Sequence, residues 1–278
     1  MPLSELIRYF NAADQAGEAS LYARGERVEA WAQGFRLASQ FRPIVDVRCE
    51  SIVGHQAQLA VRHEDGRPAT VANAFALCES EQSVVHFDRL CRTLHALNFL
   101  AQRRTVGGYL QLPVHPRHLL AVPNQHGLVY EAVLKRCGLA PDDIVLELDA
   151  PQLPPDAHFI HALSAYRERG YRLALRVPER PAEDAADWAS LLALRPDRLR
   201  VAEAAGPWLA AAQEAGIALE REGIASGADW QRLRAEGIDF ALGPLFGEAH
   251  VDCRPTHKAS GNPTIPISRT ESRHENRQ

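Results

Sequence analysis

Lysine is nearly missing. Lys135 and Lys258 are the only two among 278 residues, and the basic charge is otherwise arginine. That bias, with abundant alanine, points to a GC-rich coding sequence more than to a function. Cysteine pairs are missing too: the five cysteines, at 49, 78, 91, 137 and 253, are scattered and include no Cys-x-x-Cys. Such a set argues for reduced thiols and against a disulfide framework or a zinc site. No apolar run reaches the roughly 18 residues that a membrane span needs. The opening Met-Pro-Leu-Ser-Glu-Leu-Ile-Arg-Tyr-Phe lacks the basic and apolar regions of a secretory signal. The protein is therefore expected in the cytoplasm, with no membrane contact. An excess of positive charge is absent as well. At a net charge of −4 there is no global footprint for nucleic acid, and direct nucleic-acid binding is not expected. Neither a phosphate-cradling glycine loop nor a Gly-x-Ser-x-Gly nucleophile motif is found.

What is present is an ordinary globular composition, 46% hydrophobic and 24% charged, in a chain long enough for one large α/β domain or two small ones. Residues 41 to 62 read as two apolar strands: Pro43, Ile44, Val45 and Val47, then Ile52, Val53, Ala57, Leu59 and Val61, with a polar turn at 48 to 51. Before them, Leu3, Ile7, Phe10 and Ala13, then Val28, Ala30, Trp31 and Phe35, predict an N-terminal helical segment over 1–34, broken near Gly17 and Gly25. After them, buried strands at 109–112, 144–150, 171–175, 195–202 and 217–225 alternate with helical patterns such as 84–101, 126–137 and 157–170. Strand and helix recurring every 30 to 40 residues predict a parallel (β/α) barrel. Residues 250–278 have three prolines and no aromatic residue, and are expected to form a mobile tail. The histidine pairs 115/118 and 158/161 lack a third ligand and are read as ordinary surface or hydrogen-bonded side chains.

Several stretches, in order, resemble the EAL domain, a bacterial family that hydrolyses cyclic di-GMP. Arg42-Pro43-Ile44-Val45-Asp46 is similar to its Q-P-I-V-D strand, and Gly54-His55-Gln56-Ala57-Gln58-Leu59-Ala60 to G-Y-E-A-L-L-R. Leu146-Glu147-Leu148-Asp149-Ala150 resembles L-E-I-T-E, Pro196-Asp197-Arg198-Leu199-Arg200-Val201-Ala202 resembles P-D-x-L-K-I-D, and Glu222-Gly223-Ile224-Ala225 resembles E-G-V-E. Gly237-Ile238-Asp239 through Gly243-Pro244-Leu245-Phe246 is similar to G-x-D-x-x-Q-G-Y-L-F. The resemblance spans about residues 35–249. It implies an EAL-type TIM-like (β/α)8 barrel with an antiparallel first strand.

The family's hydrolysis uses divalent cations held by carboxylates and an asparagine at the strand ends. By the same matching, Glu147, Glu222 and Arg200 (for lysine) are retained. Gln56 stands for a metal-binding glutamate, Ala60 for a phosphate-contacting arginine and Pro113 for the asparagine. Ala150 and Ala225 stand for glutamates, Arg176 and Val177 for two aspartates, Ala202 for an aspartate, and Leu242 for a glutamine. The resemblance therefore implies a degenerate member without catalytic residues, bound metal or cofactor. Its two retained glutamates are expected to pair with Arg200 or with neighbouring donors. The expected function is regulation of motility, biofilm or transcription through a protein partner. The alternatives are a cyclic di-GMP receptor that does not hydrolyse it and an active phosphodiesterase.

Overall fold

The computed structural model describes residues 3–13, 19–122, 128–150, 156–177, 185–201 and 208–256. The chain enters through an amphipathic helix, α1 (Leu3–Ala13), with Leu6 and Ile7 buried. An antiparallel hairpin follows, β1 (Ala19–Arg24) and β2 (Arg27–Ala32), and this corrects the helical reading of residues up to 34. Val28, Ala30 and Ala32 are buried, while Arg27, Glu29 and Trp31 are half-buried, the period of two that marks a strand with one covered face. The apolar residues at 28, 30, 31 and 35 suit either period, and turn chemistry decides between them. Gly25 at φ +61° makes the first two-residue turn, and Gln33-Gly34, both at positive φ, make the second. Gly17 lies outside the described residues.

β3 (Phe35–Asp46) and β4 (Ser51–His63) are the two long strands anticipated around residues 41–62. A short β5 (Pro68–Ala69) and α2 (Val71–Ala76) lead to α3 (Glu81–Val106), a 26-residue helix opened by a Ser80/Ser83 capping box. Then come β6 (Tyr109–Val114), α4 (Pro116–Ala121), α5 (Leu128–Cys137), β7 (Ile144–Asp149), α6 (Ala157–Glu168), β8 (Arg172–Arg176) and α7 (Ala185–Ala193). β9 (Arg198–Val201), α8 (Trp208–Glu214), β10 (Ala218–Arg221), α9 (Gly227–Glu236) and β11 (Phe240–Ala241) complete the order. β4 and β6 through β11 pair in parallel, and β3 pairs antiparallel with β4 on one side and β11 on the other. Eight strands thus close a TIM-like (β/α)8 barrel whose first strand is antiparallel. β1 and β2 extend the sheet outward from β3.

The inner strands are buried on both faces, as in Ile144–Leu148, because helices cover the outside and side chains fill the inside. Asn98 of α3 bonds both the N–H and the C=O of Val28, at 2.9 and 2.8 Å, and His95 meets the Ser39 hydroxyl at 2.9 Å. One glycine is dictated by a close approach: at Gly243, φ +157°, a Cβ would lie 2.2 Å from the Ile224 carbonyl oxygen. Residues 250–256, placed in the tail by composition, are held down. His250 bridges to Phe41, Gln102 receives the Cys253 N–H at 2.8 Å, and the Arg254 N–H donates to His55 at 3.1 Å. Residues 257–278 lie outside the described residues. All five cysteines are free thiols. Among the described residues no helix is long and apolar enough to cross a membrane.

Candidate functional site

Strand alternation sends every second residue of the barrel strands inward. At one level this brings together Gln56 of β4, Gln111 of β6, Glu147 of β7, Arg200 of β9 and Glu220 of β10, each 6% exposed or less. Arg200 sits at their centre. Its Nη1 donates to Glu147 Oε1 and its Nε to Glu220 Oε1, both at 2.7 Å, and its Nη2 also donates to Glu220. The other Glu147 oxygen accepts from Gln56 at 2.8 Å and from Gln111 at 3.1 Å, and the Gln111 amide also reaches Glu220 at 2.9 Å. Burial by itself would raise the Glu220 carboxyl, but Arg200 and Arg198 outweigh it and hold the group below the usual carboxylate range. Arg200 is desolvated too, yet Glu220 and Glu147 raise its affinity for the proton.

Below this layer, Arg198 lies 3.8 Å over the Phe240 ring and 4.5 Å over Tyr109, donates to the Tyr109 hydroxyl and approaches Glu220 at 3.4 Å. Burial pushes the Tyr109 phenol up to about 12. Above it, at the rim, Arg176 of β8 donates to Glu222 at 2.8 Å, and Glu222 also lies 3.8 Å from Arg200. Three arginines therefore face three glutamates through the height of the barrel.

Pro113 is exposed on β6, beyond the last β4 pairing at Gln111. Ala150 and Val177 are buried at strand ends, where their N–H groups bond to Arg176 and Arg200 carbonyls. Leu242 is fully buried in a small apolar layer with Ile44, Val145 and Ala174. Ala60 is half-buried on β4, and Ala225 is exposed, with its N–H on Asp229 at 3.3 Å. Ala202 lies outside the described residues. The structure thus brings Gln56, Glu147, Arg200 and Glu222 together with Arg176, and leaves the other described positions as hydrophobic or backbone ones. His115 stacks on Phe75 and caps α4, while His118 lies 3.2 Å from Asp88.

The donor set does not fit a divalent cation. Hard cations need several oxygen ligands with free lone pairs. Here both oxygens of Glu147 and Glu220 already accept from guanidinium or amide groups. Among the described residues no three His, Cys, Asp or Glu side chains converge as ligands. Sequence reasoning missed Glu220, Gln111 and Arg198. The signal was available in part: Glu220 precedes Glu222 by two, so both face inward if either does.

The chain matches the family model described as EAL domain over residues 28–249. No curated protein gives a significant sequence match. Among solved structures, the cyclic di-GMP-bound form of a standalone versatile EAL protein from Vibrio cholerae O395 is similar at 18% identity and TM-score 0.63, over 81% of this chain and 98% of that one. A Klebsiella pneumoniae BlrP1 complex with manganese and cyclic di-GMP is similar at 21% and 0.62, over 84% and 58%. The Bacillus subtilis YkuI protein, with an EAL domain, in complex with cyclic di-GMP and calcium, is similar at 16% and 0.63, over 79% and 57%. The chain therefore spans somewhat more than half the length of the latter two proteins.

Proposed function

Given that the chain belongs to the EAL domain family, we propose that it is a member that does not hydrolyse cyclic di-GMP and acts in the bacterial cytoplasm as a regulator, by binding another protein. The observation that carries this reading is the Arg200 cluster. Phosphodiester hydrolysis in the family relies on carboxylates free to hold cations, and here the retained carboxylates hold a guanidinium instead. Loading a metal at Glu147 requires displacing the bonds it accepts from Arg200, Gln56 and Gln111 and leaving Arg200 buried beside a dication. An apolar frame kept around a converted centre is what a binding role needs, because binding uses the scaffold and its outer surface. Motility, biofilm formation and transcription are the processes in which such a regulator fits the family.

The test is turnover. Purified chain incubated with cyclic di-GMP and Mn²⁺ is expected to release no linear dinucleotide, and affinity purification from the native host is expected to recover a stoichiometric protein. Hydrolysis that disappears in Glu147→Ala overturns the reading. A second reading, a cyclic di-GMP receptor, draws support from the nucleotide bound in the Vibrio and Bacillus structures and from Arg42, an inward-register arginine near Gln56. Calorimetry with the nucleotide separates the two: saturable micromolar binding favours the receptor, and silence favours the protein-binding role.

A further inference from the structure

β3 and β4 are longer than the barrel requires. Their barrel pairings involve Val45–Asp46 and Gly54–Gln56, and the remainder rises past the strand ends and continues through β2 and β1 as an open antiparallel sheet. One face of this sheet is buried, with Leu37, Ser39 and Phe41 covered and Ser39 and Phe41 meeting His95 and Phe99 of α3. The other face, on the period-two register of Gln56, is half-exposed from Arg36 to Arg42 on β3 and at Gln58 and Ala60 on β4, and exposed at Arg62, while Gln56 itself is buried.

Register places the side chains of that face. Trp31 pairs with Arg36 and Arg36 with Arg62; Tyr22 pairs with Glu29, Glu29 with Ala38, and Ala38 with Ala60. Arg42 lies on the same face nearer the barrel. The two alanines leave a shallow floor, flanked on one side by an aromatic and two arginines. Among the described residues, neither Arg36 nor Arg42 makes a side-chain hydrogen bond or ion pair. Arg62 donates to the Gly66 carbonyl, with no carboxylate opposite. The acidic group of the face is Glu29, engaged by Tyr22 and Arg24 at 2.9 and 3.0 Å.

Resting on the protein-binding reading above, we propose that this face is the docking surface and that its partner presents a segment of acidic side chains around an apolar or aromatic anchor. Charge complementarity selects that occupant. A second copy would set arginines against arginines across a two-fold contact. The chain's own residues 257–278 carry Lys258, Arg269, Arg273 and Arg277 against Glu271 and Glu275, the wrong sign to cover it. Nucleic acid repeats a negative charge at every phosphate, and would meet Glu29 on the face and a chain of net charge −4. Discrete glutamates can reach Arg36, Arg42 and Arg62 and bypass Glu29, while Trp31 offers a flat apolar contact of the kind that anchors interfaces.

The experiment uses the full chain and a labelled synthetic peptide in which glutamates flank one phenylalanine, followed by fluorescence anisotropy at low ionic strength. Saturable binding is expected, weakened about tenfold or more by the double charge reversal Arg36→Glu/Arg62→Glu and by raised salt, since exposed pairs are screened beyond about 10 Å at 0.1 M. Trp31→Ala is expected to weaken it with little change in salt dependence. Because these are surface changes, circular dichroism of each variant is expected to match the parent. No binding, binding indifferent to Arg36→Glu/Arg62→Glu in a folded variant, or tighter binding of a labelled oligothymidylate overturns the assignment. Should the peptide fail while cyclic di-GMP turnover is also absent, the surface falls and the non-hydrolysing reading stands. Should turnover appear, that reading falls by itself.

Discussion

Replacing Arg200 by methionine leaves Glu147 buried without its counter-charge and Glu220 with Arg198 alone, and removing one member of a buried ionic cluster costs about 3–5 kcal/mol. Urea unfolding of Arg200→Met is expected to show a loss of that order. The combined variant Arg200→Met/Glu147→Gln/Glu220→Leu is expected to recover most of it, because well-packed neutral groups can replace a buried ionic set at little cost. An unchanged midpoint in the single variant contradicts the geometry. The acid response follows from the same charges. Glu220 is held below its usual range when folded, so its contribution is present at neutral pH and is lost as pH falls through that depressed value. At this scale the sequence was half legible. Glu147, Arg200 and Glu222 could be picked out by motif and their pairing anticipated. Arg176, in contrast, answers Glu222 at the exposed rim while Arg200 fills the centre. Glu220 and Gln111 escaped notice because a charged or amide residue in a four- to six-residue strand gives no local sign of pointing into a barrel rather than to water.

Helix α3 is docked on the sheet by polar contacts as well as apolar ones, and these bring a pH dependence of their own. His95, bonded to Ser39, and His55, receiving the Arg254 N–H, are both pushed down to about 4 by burial. Between the ordinary histidine value near 6.5 and 4, the unfolded chain takes up protons that the folded chain refuses. Stability therefore falls as pH drops through that window, on the order of 3 kcal/mol for each histidine by pH 4. Unfolding midpoints measured from pH 7 to 4.5 are expected to decline, and His95→Gln to flatten the slope by about half. A slope that His95→Gln leaves unchanged contradicts this. Elements with one clear period were legible: the central strands read as continuous apolar runs and α3 as a long apolar face. The β1–β2 hairpin was not, since its few apolar residues satisfy both a helical and a strand spacing and the turns that bound β2, at Gly25 and at Gln33-Gly34, are weaker signals than Asn-Gly. Asn11 of α1 adds a tertiary reason for the strand: its amide bonds the N–H and C=O of Leu21 at 2.8 Å each and so occupies part of the open edge of β1.

Across the whole molecule the order of strands and helices survives at 16–21% identity to the Vibrio, Klebsiella and Bacillus structures, because a barrel of this kind is specified by where apolar residues fall more than by which ones they are. The barrel's outer shell and its helices form one apolar cluster, while the interior carries a polar column of three arginines and three glutamates. At that end of the barrel the carboxylates are already paired with guanidinium groups, and the open sheet of β1 to β4 lies beside the mouth. The most direct test is a calorimetric titration of Mn²⁺ into the purified chain at neutral pH, with and without cyclic di-GMP. Heats indistinguishable from dilution, unaltered by the nucleotide, are what the Arg200 column predicts. Saturable binding of one or more Mn²⁺ ions per chain, abolished by Glu147→Ala, would show that the column opens for metal and would contradict it.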